Sequence, residues 1–231
     1  MKVFSISEFE RNGFALVKQC IDSSSVNRLR ELFHNNDRSR AGIRNLLVDF
    51  TEIVSLVQSG TIRSSVVPVL GENTIAVRAL YFNKTAEANW CVHWHQDKTI
   101  AVKSKEDVPG FKAWSIKNEV VHVHPPTEVM ENMLALRIHL DDAGANSGGL
   151  RTYPSSHKLG VCATDRLIEI INQAEDVCPP AKTGDTLLMR PLLVHSSERC
   201  VAGQRRVIHI EFAGGELPKP LRWYQVIRIG A

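Results

Sequence analysis

Two histidines and an aspartate alternate along one short segment of the chain, "CVHWHQDKTI", as His93, His95 and Asp97. An extended chain directs every second side chain to the same face, so all three can point toward one site. Iron(II) oxygenases hold their metal with two imidazoles and one carboxylate, which leaves the opposite positions open. The segment predicts part of a metal site, but the spacing alone leaves open which two of the three side chains bind the ion.

A third ligand has to come from a distant part of the chain. His195 is the best placed histidine, because it follows a Gly-Asp turn and an apolar strand, "TGDTLLMRPLLV", and leads into the polar "SSERC". A strand that ends in a polar loop is expected at the mouth of a barrel. His122 and His124 alternate before a Pro-Pro pair and are either a second pair of ligands or edge-strand residues. The other histidines outside the first segment are His34, His139, His157 and His209.

The segment "RRVIHIEF" predicts a strand with two different faces. Arg206 alternates with Ile208, Ile210 and Phe212, so its guanidinium is expected on the core side of the sheet, and Arg205 is expected on the other side. A buried guanidinium keeps its charge and requires an anion. That anion is either a protein carboxylate or the carboxylate of a cosubstrate whose other end chelates the metal.

The elements that position these residues form two regions. Helical spacing of apolar residues predicts helices in "SSSVNRLRELF" and in "NLLVDFTEIVSLVQSG", which stops at Gly60, with a polar loop between them. From about Val66 onward, short runs rich in β-branched and aromatic residues alternate with turn formers, which favours a sandwich or barrel. One later helix is predicted in "TDRLIEIINQAED". The predicted strands lie in "TIAVRALYFNK", "KTIAVKS", "HVH", "MLALRIHLD", "TLLMR" and "RRVIHIEF".

Composition excludes several classes of protein. The chain has 231 residues, 43% of them hydrophobic and 23% charged, and a formal charge of +3 with its basic residues scattered. These values are typical of a globular protein of one domain, and they argue against a nucleic-acid binder. No segment predicts a signal peptide or a membrane span. Five widely spaced cysteines without a CxxC pair suit a reducing compartment, so we expect a cytoplasmic location.

Four segments together resemble the phytanoyl-CoA dioxygenase (PhyH) family: "HQD", "NSGGLRTYPSSHKLG", "GDTLLMRPLLVHSS" and "RRVIHIEFA". The N-terminal "FERNGFALVKQCIDSSSVNRLRELF" is also similar to the opening strand and helix of that family. The resemblance implies a double-stranded β-helix (a cupin-like jelly roll) with N-terminal helices. It implies one domain over residues 1–231, in which residues 1–64 are mainly helical and pack on the β-core.

The resemblance also implies roles for particular residues. It assigns the iron to His95, Asp97 and His195, and it assigns the far carboxylate of 2-oxoglutarate to Arg206, which lies eleven residues after the last histidine. Ser197 is expected to assist Arg206. Arg137, in "LALRIHLDD", is either a second cosubstrate contact or a substrate anchor. No counterpart of the lysine that some members add to the cosubstrate site is evident.

The function implied is that of an Fe(II)- and 2-oxoglutarate-dependent dioxygenase that uses O2, hydroxylates a C–H bond of a small molecule and releases succinate and CO2. Ascorbate serves such enzymes as a reductant in vitro. The intact carboxylate of Asp97 favours hydroxylation over halogenation. The alternatives are a cupin-like metal-dependent isomerase or hydrolase, and a non-catalytic binding jelly roll.

The substrate is expected to be a small molecule, and an anionic one is compatible with the basic residues near the predicted pocket. The pocket is expected to be lined from the turn between Asn83 and Trp90, from Val120 to Val129, and from the loop between Arg38 and Asn45. These stretches contain Arg44, Trp90, His122 and His124.

Overall fold

The structure is a computed structural model, and it describes residues 4–34, 41–201 and 203–229. Short helices precede and interrupt a larger number of strands. The helices are α1 (Ile6–Asn12), α2 (Ser23–His34), α3 (Leu46–Asp49), α4 (Thr51–Val57), α5 (Gly60–Leu70), α6 (Thr127–Glu131) and α7 (Thr164–Gln173), with a 3-10 turn at Ser156–Leu159. The strands are β1 (Phe14–Val17), β2 (Gly42–Ile43), β3 (Ile75–Lys84), β4 (Val92–His95), β5 (Ile100–Val102), β6 (Lys112–Lys117), β7 (Val120–His124), β8 (Met133–His139), β9 (Leu150–Thr152), β10 (Thr186–Met189), β11 (His195–Ser197), β12 (Arg205–Ala213) and β13 (Ile227–Arg228).

Three antiparallel sheets form the β-core. The major sheet has the order β1-β10-β8-β12-β3-β13, and β2 pairs with β3 beside this path. The minor sheet has the order β4-β11-β9, and a third sheet has the order β5-β7-β6. Strands that are neighbours in a sheet are thus far apart in sequence, as in a jelly roll. The predicted class, mainly β with packed helices on a jelly-roll core, is confirmed.

The N-terminal helices pack against one face of the major sheet. Phe33 of α2 is fully buried and stacks on Tyr81 of β3 with ring centroids 4.0 Å apart, and Phe50 meets it edge-on at 5.6 Å. Ile208 and Ile210 of β12 belong to the same apolar cluster. Because this face of the sheet is covered by helices, the opposite face is the one available for a ligand cavity.

The predicted boundary between the helical and β regions is wrong. The helix predicted to stop at Gly60 ends at Val57 as α4, and Gly60 begins a further helix, α5, which the Ser59 hydroxyl caps by accepting a hydrogen bond from the backbone N–H of Ile62 (3.4 Å). Val66 lies within α5, which continues to Leu70. No single helix in the described ranges is long and apolar enough to span a bilayer, although α4 and α5 would satisfy those criteria as a pair bent by 55°.

The segment before His195 also differs from the prediction. The strand predicted there ends at Met189 as β10 of the major sheet, and the chain then turns at Pro191 and crosses to the minor sheet. His195 therefore begins strand β11 instead of following the end of a strand. Each of the six predicted strand segments contains an observed strand, and the later helix is α7. Part of the predicted polar loop, residues 35–40, lies outside the described residues.

Candidate active site

The two histidines predicted to bind a metal lie opposite each other in the minor sheet. His95, at the end of β4, is the antiparallel partner of His195, the first residue of β11. Asp97 follows β4 by two residues, and its backbone N–H donates a hydrogen bond to the carbonyl of Pro191 (2.9 Å). This bond fixes the turn that brings the carboxylate back toward the two rings.

The side chains of these three residues converge. The Nε2 atoms of His95 and His195 each lie 3.7 Å from a carboxylate oxygen of Asp97, and one ligand atom from each residue lies within 4.8 Å of the other two. These separations exceed a hydrogen bond and leave room for an ion between the atoms. The donor set, two imidazoles and one carboxylate, is the one that iron(II) accepts in oxygenases.

Backbone carbonyls orient both rings. Nδ1 of His95 lies 2.8 Å from the carbonyl of His93, and Nδ1 of His195 lies 2.8 Å from the carbonyl of Leu193. A carbonyl only accepts hydrogen bonds, so Nδ1 carries the proton and Nε2 keeps its lone pair for a metal. The His93 side chain is exposed, and the contribution of this residue to the site is its carbonyl. The trio His95, Asp97 and His195 therefore answers the question that the spacing left open.

Protonation states also suit a metal. Burial lowers the pKa of His195 to about 4, so its ring is neutral at physiological pH. Burial alone would raise the pKa of the Asp97 carboxyl, but attraction to the charges that His195 and His209 can carry outweighs it, and the pKa lies below its ordinary value. The site thus presents a neutral imidazole and a carboxylate without protons to displace.

A cavity of about 240 Å³ opens in front of the trio, between the minor sheet and the inner face of the major sheet. This volume is slightly below the roughly 300–1,000 Å³ usual for ligand pockets, which suits a small molecule. Polar and charged side chains line much of the cavity. Its wall is formed by Arg44, Arg78, Leu80, Phe82, Lys84, Trp90, Val92, His95, Asp97, Arg137, Leu150, His195, Ser196, Ser197, Arg205, His209 and Glu211.

Two basic side chains lie opposite each other at one part of this wall. Lys84 of β3 and Arg205 of β12 are antiparallel partners and are 0% and 2% exposed. Within the described residues, neither Nε nor Nη1 of Arg205 has a hydrogen-bond partner. Lys84 donates to the hydroxyl of Ser197 (2.7 Å) and to the carbonyl of Glu198 (2.6 Å), and its Nζ lies 5.3 Å from the Trp90 ring centroid, but no carboxylate of the described residues compensates its charge. Like charges placed opposite each other destabilise a sheet, so this pair predicts a bound anion.

Residues 9–208 match the phytanoyl-CoA dioxygenase (PhyH) family. The chain belongs to this family. Membership confirms the resemblance and the predicted type of enzyme, a dioxygenase, and the predicted need for iron and 2-oxoglutarate agrees with it. No curated protein sequence matched the chain.

Several solved structures have a similar fold. EctD from S. alaskensis has a TM-score of 0.74 at 16% identity over 98% of this chain and 87% of its own. AviO1 from Streptomyces viridochromogenes Tue57 has a TM-score of 0.65 at 20% identity, with 90% and 92% covered. HygX from Streptomyces hygroscopicus, solved with nickel and 2-oxoglutarate bound, has a TM-score of 0.65 at 15% identity, with 96% and 90% covered. At these identities the likeness concerns the fold.

The assignment of Arg206 to the cosubstrate is not supported by its position in this PhyH chain. Its guanidinium donates two hydrogen bonds to Asp141, at 2.8 and 2.7 Å, and its backbone N–H donates a third (2.8 Å). Arg206 shares its face with Ile208 and Ile210 as predicted, but that face packs against the helices. The protein-carboxylate alternative is therefore the correct one for Arg206. Arg205, on the opposite face, lines the cavity.

Ser197 and Arg137 both line the cavity. The Ser197 hydroxyl accepts a hydrogen bond from Lys84 and donates one to the carbonyl of Gly148 (3.0 Å), so it positions the lysine. Arg137 is 7% exposed and donates from Nη1 to Nδ1 of His209 (3.3 Å), while its Nε has no partner in the described residues. Burial lowers the pKa of Arg137 to about 10, which leaves it charged at neutral pH.

The other histidines do not join the metal trio. His122 and His124 lie on β7 of the third sheet, and His122 lines a small cavity beside the main site. His139 is buried and uncharged, because burial lowers its pKa to about 3. His209 lines the main cavity, with its Nε2 3.6 Å from the carboxylate of Glu211.

Lys84 is the residue at this site that the sequence analysis did not find. It ends the run "IAVRALYFNK", where a terminal lysine is usually a solvated residue just beyond a strand. The signal that could have found it is alternation: Lys84, Phe82, Leu80 and Arg78 share one face of β3, and that face has a basic residue at both ends.

Lys84 gives the site a predicted pH dependence. Burial, followed by repulsion from Arg205, lowers its pKa to about 8, so the ligand-free lysine loses its proton as the pH rises through 8. An anion binds the protonated form better, so the dissociation constant of 2-oxoglutarate should rise above pH 8, by up to about tenfold per pH unit. Titration of the iron(II) enzyme with 2-oxoglutarate between pH 7 and pH 9, at about half-unit intervals, measures this.

The matched variant is Lys84→Met, which keeps most of the side-chain length without a titrating group. The affinity of this variant for 2-oxoglutarate should be lower than that of wild type. It should also lack the decrease above pH 8 that deprotonation of Lys84 causes. An unaltered pH profile in the variant would mean that Lys84 is not the group responsible for it.

Proposed function

We propose that this chain is an Fe(II)- and 2-oxoglutarate-dependent dioxygenase that hydroxylates a C–H bond of a small molecule and releases succinate and CO2. One observation carries the proposal: the buried, uncompensated charges of Lys84 and Arg205 line the same cavity as the His95, Asp97 and His195 trio. A metal centre and an anion site in one cavity suit a cosubstrate with a chelating end and a distant carboxylate.

In this proposal His95, Asp97 and His195 hold the iron. Bound iron supplies the activation of O2 that is coupled to oxidative decarboxylation of 2-oxoglutarate. The chain supplies orientation: the carbonyls of His93 and Leu193 keep Nε2 of each ring free of a proton and directed at the ion.

The far carboxylate of 2-oxoglutarate is proposed to bind between Arg205 and Lys84. Nε and Nη1 of Arg205 both lack a partner in the described residues, so the guanidinium has donors left for a carboxylate. The Ser197 hydroxyl accepts a hydrogen bond from Lys84 and holds the ammonium group in position. Arg137 lies beside His209 on the same wall, where either a second cosubstrate contact or a substrate anchor is compatible with its position.

The two alternatives lack this support. A cupin-like isomerase or hydrolase needs a metal but no 2-oxoglutarate, so in such an enzyme the lysine–arginine pair would have to bind the substrate. A non-catalytic jelly roll is usually marked by loss of a ligand, and all three ligands are present. The carboxylate of Asp97 also favours hydroxylation, since halogenating relatives replace that ligand with a small residue.

The proposed function is tested by turnover without added substrate. Purified protein with Fe(II), ascorbate and 2-oxoglutarate should form succinate slowly, and the anaerobic iron–2-oxoglutarate complex should show a visible charge-transfer absorbance. Protein without iron is the control. An enzyme that forms no succinate and shows no such absorbance would contradict the proposal.

The substrate is proposed to be a small anionic molecule. Five basic side chains line the cavity, against the carboxylates of Asp97 and Glu211. The two charges of iron offset those of 2-oxoglutarate, so a surplus of positive charge remains for the substrate to neutralise. The five are Arg44, Arg78, Lys84, Arg137 and Arg205.

We also propose a cytoplasmic location and a single-domain organisation over residues 1–231. The support for the first is that none of the five cysteines forms a disulfide in the described ranges. The support for the second is that helices of the N-terminal region share one apolar cluster with the major sheet.

A further inference from the structure

A small side pocket adjoins the main cavity and is not used by the metal or the cosubstrate. Arg44, Arg78 and Leu80 line both spaces, so the side pocket opens from the same region of the wall. Its other boundaries come from the residue before α3, the third sheet and the C-terminal segment. They are Asn45, Ala101, Lys117, Asn118, Val120, His122 and Tyr224.

His122 presents an unsatisfied polar atom in this side pocket. The residue is 4% exposed, and its Nε2 has no hydrogen-bond partner in the part of the chain that the structure describes. Nδ1 lies 3.0 Å from the carbonyl of Val120 and must donate to it. Burial, and then repulsion from Arg78 and Lys117, keeps the pKa of His122 below its ordinary value. Nε2 is therefore a lone-pair acceptor that needs a donor, which either a water molecule or a ligand supplies.

The size of the side pocket limits what that donor is. Its volume is about 20 Å³, and one water molecule needs roughly 10–15 Å³ by this measure. A hydroxyl group fits, whereas a carboxylate or a phosphate group is too large. An ammonium group would also donate, but it would add to the positive charge of Arg44 and Arg78 in the shared wall.

Arg44 supplies a second recognition element at the point where the two spaces meet. No hydrogen bond or ion pair links it to another described residue, whereas Arg78 is paired with Glu211 at 3.1 Å. Partial burial, followed by repulsion from Arg78, lowers the pKa of Arg44, which an acidic ligand group would reverse. The exposed position of Arg44 places this charge at the mouth of the cavity.

We propose that the side pocket is the substrate-specificity site, in which His122 accepts a hydrogen bond from a hydroxyl of the substrate while Arg44 binds its acid group. The substrate is then a small hydroxy acid. This inference rests on the proposed function, because it takes the adjoining cavity to hold iron and 2-oxoglutarate. It adds the class of substrate and the two residues that select it.

The test compares matched ligands on enzyme loaded with Fe(II) and 2-oxoglutarate under argon. Each set contains a short-chain hydroxy acid, the same acid without its hydroxyl, and the hydroxy amide. Isothermal titration calorimetry gives the affinities. In at least one set the hydroxy acid should bind about tenfold or more tightly than either of the other two ligands. The acid without its hydroxyl loses the hydrogen bond, and the hydroxy amide loses the ion pair.

Variants assign each preference to its residue. His122→Asn keeps a donor for the Val120 carbonyl but removes the acceptor, so the preference for the hydroxyl should disappear. His122→Gln places an amide oxygen near the position of Nε2 and should retain that preference in part. Arg44→Met should abolish the preference for acid over amide, and Arg44→Lys should retain some of it. Arg11→Met, an exposed arginine on α1, should behave as wild type.

The outcomes separate the two proposals. If 2-oxoglutarate produces the charge-transfer absorbance in wild type but no set shows either preference, the specificity site is refuted and the proposed function stands. The specificity site is also refuted if His122→Asn and Arg44→Met keep both preferences, which would leave only ordered water in the side pocket. Absence of the absorbance in wild type would refute the proposed function itself.

Discussion

His195→Ala is expected to reduce iron-dependent turnover of 2-oxoglutarate by more than about 100-fold. Loss of a residue that merely supports a metal ligand typically costs 10–100-fold in affinity or activity, and loss of the ligand itself should exceed this. His195 is 5% exposed and supplies one of the three atoms that surround the proposed ion position. Succinate formation at saturating iron, with bound iron measured separately, gives the effect.

The control for this variant is His93→Ala. The His93 side chain is exposed, and only its carbonyl takes part in the site, so removal of the imidazole should leave iron binding and succinate formation close to wild type. Circular dichroism shows whether each variant is folded. Full turnover in folded His195→Ala would mean that the third ligand is another residue. Loss of iron in His93→Ala would mean that His93, and not His95, binds the metal.

Arg205→Ala should weaken the binding of 2-oxoglutarate by about 2–5 kcal/mol, between roughly 30-fold and a few thousandfold in the dissociation constant. The reason is that truncation leaves the cosubstrate carboxylate buried with only Lys84 to compensate it. Titration of the charge-transfer absorbance with 2-oxoglutarate under argon measures the change. Arg205→Lys should recover part of the loss, because it restores the charge but not the planar set of guanidinium donors.

The matched control is the neighbouring residue. Arg206→Ala should leave the 2-oxoglutarate affinity unchanged and lower the free energy of unfolding by about 1–3 kcal/mol, because Asp141 loses two charged hydrogen bonds. Arg30 also contacts Asp141, at 3.1 Å, which limits the cost. Urea unfolding measures it. Weakened cosubstrate binding in Arg206→Ala, with normal binding in Arg205→Ala, would restore the assignment of Arg206 to the cosubstrate.

The sequence assigned the cosubstrate carboxylate to Arg206, whereas the structure favours Arg205. Strand alternation alone does not decide which face of a strand borders the cavity. The pattern correctly separated the two faces of β12, and it correctly indicated that the face of Arg206 was apolar. It carried no information about which face the N-terminal helices cover. Ile208 and Ile210 are apolar because they pack against helices, whereas the cavity face has to be polar to bind polar ligands. The more hydrophobic face was therefore the wrong one in which to look for the ligand site.

The metal trio was predictable because its signal is local and chemical. His95 and Asp97 are two residues apart, and the resemblance to the PhyH family supplied His195. The strands that carry them are short: β4 has four residues and β11 has three. Periodicity needs longer segments, so the minor sheet and the crossover at Pro191 were not evident from the pattern.

The pairing of His95 with His195 has a mechanical consequence. The minor sheet consists of three short strands, and the two that carry His95 and His195 come from distant parts of the chain. A metal ion bound to both rings would cross-link those strands reversibly, as a disulfide does covalently. Iron binding would then make the minor-sheet wall of the cavity more rigid before O2 binds. Loss of iron would therefore destabilise this part of the fold as well as abolish activity.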